Sequence, residues 1–447
     1  MALQNDGCDA SGSDKHINSF CDSHVSGDVL TNIIVVEKIF KCLNARQLNI
    51  CAKVCKVWNY QAKREKESRV WMRWNLFSAD HREQGDFDAK EWWSSVKSFI
   101  LDSPIEPSFV LMFCTDALCC HLSEARQKKR KRSRAEPDIL GLLNPILPKH
   151  CSFEVVMSEG VVGTDEKMKT EELQDYELAL SVILFGKDSL KQPGFDVEFM
   201  PFTFSHDECK YLNKFWSEGS NIAPSFMQKM LRKEVKMVNL YCPIVQEVGY
   251  SFFRMLQCPL IAGGFVNNKY LRDNEGKVSS PVGHTVLAGF ALCGSSVHVA
   301  SVLIRSGIET EEEVDKVVRS LKDQNLPLEH SFGLMYACVE KGINNYESRN
   351  VESGMFRKHF PTTPLLGFFG NGEIGCNYPS PALPLSVKDN GVGAKDTNSN
   401  GQEQSRNQRK TLRSSVSKIM QADELKRPPK LLHAYTTVLC LVSISPS

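Results

Sequence analysis

Chemistry first suggests itself at residues 364–380, PLLGFFGNGEIGCNYPS, where Gly370-Asn371-Gly372-Glu373-Ile374-Gly375 forms an uninterrupted G-x-G-x-x-G. In a dinucleotide enzyme such glycines let the backbone approach a pyrophosphate, and a helix starting directly behind the third glycine receives its charge. Here Gly375 is followed by CNYPSPALPLS, whose prolines exclude that helix. The glycines therefore read as a turn at a strand end, where positive φ or close backbone approach is needed. No cofactor is expected.

Nucleophiles are the next candidates. Cys338 and Cys376 lie beside glycine-rich strand ends and His433 opens a later apolar run, a set that offers a nucleophile and a base. Ser295 and His298, in GSSVHV, lack the G-x-S-x-G elbow that exposes a catalytic serine. No motif unites nucleophile, base and orienting group, so autonomous catalysis is not expected and a cysteine enzyme stands as the minor alternative. The 16 cysteines are scattered, several inside apolar runs such as those around Cys242, Cys293 and Cys440. They read as reduced, mostly buried thiols. Cys51 with Cys55, and the cluster of Cys114, Cys119 and Cys120, lack the spacing and histidines of a tetrahedral zinc site, so no metal is expected.

A chain of 447 residues needs about two or three domains. With 42% hydrophobic and 24% charged residues, its composition is that of a soluble globular protein. A net charge of +1 provides no global attraction to nucleic acid or membrane, and neither is expected as a partner. The apolar run around 437–444 is too short to span a bilayer. The first residues, MALQNDGCDASGSDKH, lack the basic and apolar regions of a secretory signal, and 1–25 reads as a disordered leader.

Residues 32–74 carry helical stripes: Ile33, Val36, Ile39, Phe40 and Leu43; then Leu48, Cys51, Val54, Cys55 and Trp58; then Val70, Trp71 and Trp74. Asn44-Ala45 breaks the first from the second. Three short helices of about 45 residues are too few for a self-sufficient core, and such a unit completes its core on a partner.

Residues 126–134, RQKKRKRSR, hold seven positive charges in nine positions. Without interleaved aromatics for base stacking, Lys128, Lys129, Arg130, Lys131 and Arg132 read as an exposed nuclear-import run, or as a solvated loop.

The remainder repeats itself. VNLYC (238–242), an amphipathic helix VQEVGYSFFRMLQ, CPLIAGGFVN (258–267) and HTVLAGFALCG form one unit. FGLMYACV, NVESGMFRKHF, TPLLGFFGN and HAYTTVLCL form a second, and a fainter copy runs from FVLMFC (109–114) to the glycines of SEGVVG (158–163). Strand–helix–strand grammar of this kind gives the fold class: mixed α/β, with a small all-α module in front of layered sheets. Residues 379–428, polar and nearly free of large apolar side chains, read as a disordered insertion in the second unit.

Ile39, Leu43, Leu48, Val54-Cys55-Lys56-Val57-Trp58 and Trp71 together resemble an F-box, although the family's usual opening Leu-Pro is here Asn32-Ile33. FGLMYACVEKG (332–342), FRKHFPTTPLLGFFGNGEIGC (356–376), LIAGGFV (260–266) and HAYTTV (433–438) resemble FIST domains. The chain is thus similar to F-box proteins with FIST domains. The resemblance implies an F-box at 26–75, linker helices at 76–104, a FIST N-terminal domain at 105–235 and a FIST C-terminal domain at 236–447. It further implies a non-catalytic substrate receptor of a Skp1–cullin–F-box ubiquitin ligase, in cytoplasm and nucleus. Ile39, Leu43, Leu48, Val54, Trp58 and Trp71 would bind Skp1, and through it a cullin–RING ligase. Phe368, Asn371, Gly372, Glu373 and Cys338, the last a candidate surface thiol, would rim a surface for protein substrates or a small ligand. A FIST-type small-ligand sensor without ligase coupling is the alternative.

Overall fold

The computed structural model describes residues 32–79, 87–127, 139–174, 177–186, 194–205, 207–210, 225–241, 249, 251–253, 256, 259–273, 275–279, 285–379 and 429–446. Helices α1 (Ile33–Lys41), α2 (Ala45–Cys51) and α3 (Lys56–Glu67) form the front module. Asn32 caps α1 through its side chain. Asn44 and Gln47 form a reciprocal capping box on α2, so the expected break at Asn44-Ala45 is a true helix boundary. The second stripe spans two helices rather than one, because the chain leaves α2 at Cys51 and restarts with Cys55 as N-cap of α3. Val36, Phe40, Leu48 and Ala62 make the small core, with Leu43 and Trp58 packed against it.

The third stripe, Val70, Trp71 and Trp74, is not helical. Trp74 belongs to strand β1 (Met72–Ala79), in which Trp74 and Leu76 face one core while Phe77 and Ala79 face another. Apolar residues on both faces at period two make a sheet strand, and they replace the first of the linker helices expected from 76 onward. Helix α4 (Ala89–Leu101), capped by Asp88, is the helix that does occur there.

Strand β1 opens a body of eighteen strands among the described residues. The others are β2 (Pro107–Thr115), β3 (Ser152–Ser158), β4 (Gly160–Thr164), β5 (Thr170–Leu173), β6 (Leu178–Gly186), β7 (Glu198–Ser205), β8 (Val235–Tyr241), β9 (Leu260–Gly264) and β10 (Asn268–Arg272). Then follow β11 (Val278–Ser279), β12 (Thr285–Cys293), β13 (Val297–Ile304), β14 (Ser331–Cys338), β15 (Leu365–Gly370), β16 (Glu373–Ile374), β17 (Leu432–His433) and β18 (Thr437–Ile444). Helices α5 (Asp116–Gln127), α6 (Ile139–Leu143), α7 (Ser225–Leu231), α8 (Glu311–Lys322), α9 (Ile343–Tyr346) and α10 (Val351–His359) punctuate them.

The sheet orders are β1-β6-β2-β3-β10-β11, β7-β12-β8-β9-β16-β17 and β13-β18-β14-β15-β4-β5. They show three copies of one six-strand unit. In each copy the second and third strands pair in parallel, as β2 with β3, β8 with β9 and β14 with β15. The sixth strand returns between the first and the second. The fourth and fifth strands form a hairpin that leaves its own copy and lengthens another copy's sheet. Copy one gives its hairpin to copy three, copy three to copy two, and copy two to copy one. The faint third repeat of the sequence is therefore a full one. Residue 235, where the first FIST range was expected to end, is the first residue of β8 and lies inside the second copy.

The inner faces of the three sheets share one core. Phe113, Tyr241 and Tyr336, at matching places on β2, β8 and β14, stand 6.3 to 6.5 Å apart, ring centre to ring centre. The outer faces carry separate cores, of which α4 and α5 cover the first and α8 and α10 the third. The insertion at 379–428 separates β16 from β17, inside the exchanged hairpin of copy three; apart from Pro379 it lies outside the described residues.

Candidate functional site

The front module presents apolar side chains to solvent on all three helices. Of the eleven large hydrophobic residues exposed among those described, eight lie between 33 and 70. They include Ile34, Ile39, Ile50, Val54, Val57 and Tyr60, exposed by 42 to 67%. Isolated apolar residues are normal on a protein surface, but this concentration on some forty residues marks a contact surface.

The six residues expected to bind a partner do not lie on one surface. Ile39 and Val54 are exposed, while Leu43 and Trp58 are half-buried and Trp58 packs edge-on against Phe40 with centroids 5.5 Å apart. Leu48 is fully buried and holds the module together. Trp71 lies outside the module, packed on Phe195 and stacked with His330 at 5.1 Å in the sheet body. Ile34, Ile50, Val57 and Tyr60 were missed. Ile34, Val57 and Tyr60 belong to no buried stripe, and only a solved helix orientation shows that their faces have no intramolecular cover.

The module is fixed to the body. Arg69 donates to the carbonyls of Phe40 and Leu43 at 3.0 and 2.7 Å, to Pro104 at 2.6 Å, and to the carboxylate of Glu65 at 3.1 Å. The Ala45 N–H donates to the Ser103 carbonyl at 3.1 Å, and the Asn49 amide donates to Glu106 at 2.8 Å. A charged side chain bridging three carbonyls makes a stiff mount, because charge-assisted hydrogen bonds are the strong ones.

The glycine-rich stretch is a junction between copies. The Asn371 amide donates to Glu159 of copy one at 2.7 Å, and the Phe265 N–H of copy two donates to the Gly372 carbonyl at 2.8 Å. Gly372 has φ +138° and rests against the Phe265 ring. Behind Gly375 the chain is extended, and Tyr378 bridges to Ser301, so the helix that a pyrophosphate would need is replaced by sheet.

Of the five expected rim residues, Asn371 is exposed and the others are buried. Phe368 is core, 5.1 Å from Tyr336 and 5.8 Å from Phe113, because the sheet's inner face at that position points to the shared centre. Cys338, expected at the surface, is buried at the end of β14, and burial raises its thiol pKa. Glu373 accepts from the N–H and hydroxyl of Thr436 at 3.2 and 2.7 Å, and burial pushes its carboxyl up to about 7. His433 directs Nε2 at the carbonyls of Gly375 and Lys430, both at 3.0 Å, so its ring is occupied by backbone rather than aligned with a thiol. Cys376 is buried, with its thiol raised to about 11.

Behind this junction lie buried carboxyls that sequence patterns did not signal. Glu172 accepts from the Ser353 N–H at 2.7 Å and Glu352 accepts from the Tyr346 hydroxyl at 2.7 Å. Burial, and then the neighbouring Glu352, hold Glu172 up at about 7. These groups fasten the exchanged hairpin of copy one to α10 of copy three. The basic run Lys128–Arg132 falls outside the described residues.

No family model matches the chain. It is 28% identical over 360 residues to human F-box only protein 22, covering 78% of this chain and 86% of the relative. It is likewise 28% identical over 363 residues to the Pongo abelii protein of that name, with the same shares covered. Over most of its length, then, the chain is similar to F-box only protein 22.

Proposed function

We propose that this protein is the substrate-recognition subunit of a Skp1–cullin–F-box ubiquitin ligase. The concentration of exposed apolar side chains on a three-helix module carries the reading, and the similarity to F-box proteins supports it. A short module with so small an internal core gains most by burying Ile39, Ile50, Val54 and Val57 against Skp1. The sheet body, with FIST character, captures target proteins, and Asn371 is the exposed polar contact at the junction of copies. The protein acts as a non-catalytic adaptor, with ubiquitin transfer left to the recruited RING subunit and its conjugating enzyme. It works in cytoplasm and nucleus, and the run at Lys128–Arg132 directs its import. A small-ligand sensor without ligase coupling would have no use for the exposed helical face. Affinity purification of the full chain and of a chain lacking residues 26–75, read by mass spectrometry, tests the assignment. Skp1 and a cullin should accompany the first and not the second; equal recovery, or recovery with neither, would reject it.

A further inference from the structure

Two cysteines meet where β2 passes into α5. Cys114 is the penultimate residue of the strand and Cys119 lies in the first turns of the helix. Their Sγ atoms are 2.9 Å apart, and both side chains are buried. That is about 0.9 Å beyond a disulfide bond length and inside the usual separation of unbonded sulfurs. The intervening Thr115 stops the chain from relaxing apart: its hydroxyl accepts from the Leu118 N–H at 3.4 Å and from the Ala179 N–H at 3.1 Å, so strand end, helix start and β6 are held in one frame. Cys120, next along the helix, is exposed.

We infer that Cys114 and Cys119 form a reversible disulfide, a redox-sensitive latch between the first sheet and α5. The oxidant is a low-molecular-weight disulfide, RSSR. One Cys114–Cys119 S–S bond forms, the S–S bond of RSSR breaks, and the two thiol protons leave with two RSH. The hydrogen bond with Cys119, and then burial, raise the Cys114 pKa and disfavour its thiolate, so Cys114 does not start the exchange. Exchange begins at exposed Cys120, which attacks RSSR and releases the first RSH; the buried pair then resolves the Cys120 mixed disulfide, releasing the second RSH and restoring the Cys120 thiol. Little backbone movement is needed, since the sulfurs are already nearly at bonding distance.

The test uses the full chain incubated with reduced or oxidised glutathione, quenched, unfolded and alkylated. Residues 114–120 contain no lysine or arginine, so one tryptic peptide carries all three thiols. After reduction it should take up three labels. After oxidation it should take up one, on Cys120, with the loss of two hydrogens, and oxidation should raise Tm by a few degrees. Cys114→Ser and Cys119→Ser should each abolish both effects, while Cys120→Ser should retain the disulfide but form it several-fold more slowly. Three labels after oxidation, a label left on Cys114 (a Cys119–Cys120 bond), or an unchanged rate in Cys120→Ser would overturn the inference.

Discussion

The carboxylate of Glu172, on a hairpin of the first copy, accepts a 2.7 Å hydrogen bond from the backbone N–H of Ser353, in the first turn of a helix of the third copy. A residue distant in sequence thus satisfies a helix donor that the helix's own N-cap, Asn350, leaves without a side-chain partner. The Asn350 amide oxygen instead accepts from the Glu172 N–H at 2.7 Å, which makes the exchange reciprocal.

That relationship sets a pH dependence. Glu172 has a folded pKa of about 7 against 4.5 when exposed, raised first by burial and next by Glu352. A carboxyl raised in the folded state contributes stability that is complete below the unfolded pKa and is lost as pH rises through the folded one. The window is therefore about pH 4.5 to 7, at about 1.4 kcal/mol for each pH unit spanned as an upper limit. Glu172→Gln keeps an acceptor for Ser353 and removes the titration. Its Tm should fall by several degrees less than wild type between pH 5 and pH 8, as scanning calorimetry would read; parallel curves would refute the assignment.

Surface and core positions of the front module should separate in experiment. Ile50→Ser with Val54→Ser changes only exposed side chains, so Tm should move by less than about a degree while Skp1 capture falls at least tenfold. Leu48→Ala removes a fully buried side chain and should cost about 2–5 kcal/mol of local stability, reducing capture through unfolding. Leu43→Ala with Trp58→Ala should abolish Skp1 co-purification with the sheet body still folded. Skp1 retained by all three variants would exclude the module as its docking site.

Replacing Lys128–Arg132 by alanine should shift the protein toward the cytoplasm in fluorescence imaging and leave its melting curve in place. A large fall in Tm would show that the run packs as structure, and an unaltered distribution would remove its import role.

Gly372→Val places a side chain at φ +138° with its Cβ 2.9 Å from the Phe265 ring. Positive φ alone costs about 1–3 kcal/mol for such a residue. Tm should drop and substrate ubiquitination should suffer, while Skp1 capture persists, since the front module has its own core. ATP, NAD or FAD should not shift the wild-type curve, whereas a ligand at a hundred times its Kd would add about 2.7 kcal/mol. A saturable shift with a dinucleotide would restore a phosphate site at Gly370–Gly375.

Much of this architecture was legible in the sequence for a local reason. FGLMYACV and VNLYC carry strand signals in short continuous runs, NVESGMFRKHF carries its helix, and the prolines behind Gly375 exclude a helix there. The errors came where a residue's surroundings are set by distant chain. Trp71 and Trp74 read as a helical stripe because spacing alone cannot reveal that β1 pairs with β6. Phe368 read as a rim residue because the alternation at β15 does not say that its inner face meets two other sheets. Glu172 and Glu352 carry no signal in the sequence, because the pair meets through the exchange of hairpins between copies. His433 ends β17 instead of opening β18, a boundary decided by its pairing with Glu373.

Because each sheet borrows its last two strands from another copy, the body is closed like a ring of three people each holding a neighbour's hand. During synthesis the first sheet waits for β10 and β11, the second for β16 and β17, and the third, which already has β4 and β5, for its own central strand β18. Completion of the third sheet therefore depends on β18, and contacts of long sequence separation make such assembly slow. A ribosome that stops short of Thr437 leaves the third sheet without β18, with β13 unpaired from β14, and the cell meets that fragment as an unclosed, aggregation-prone chain rather than as a smaller working protein.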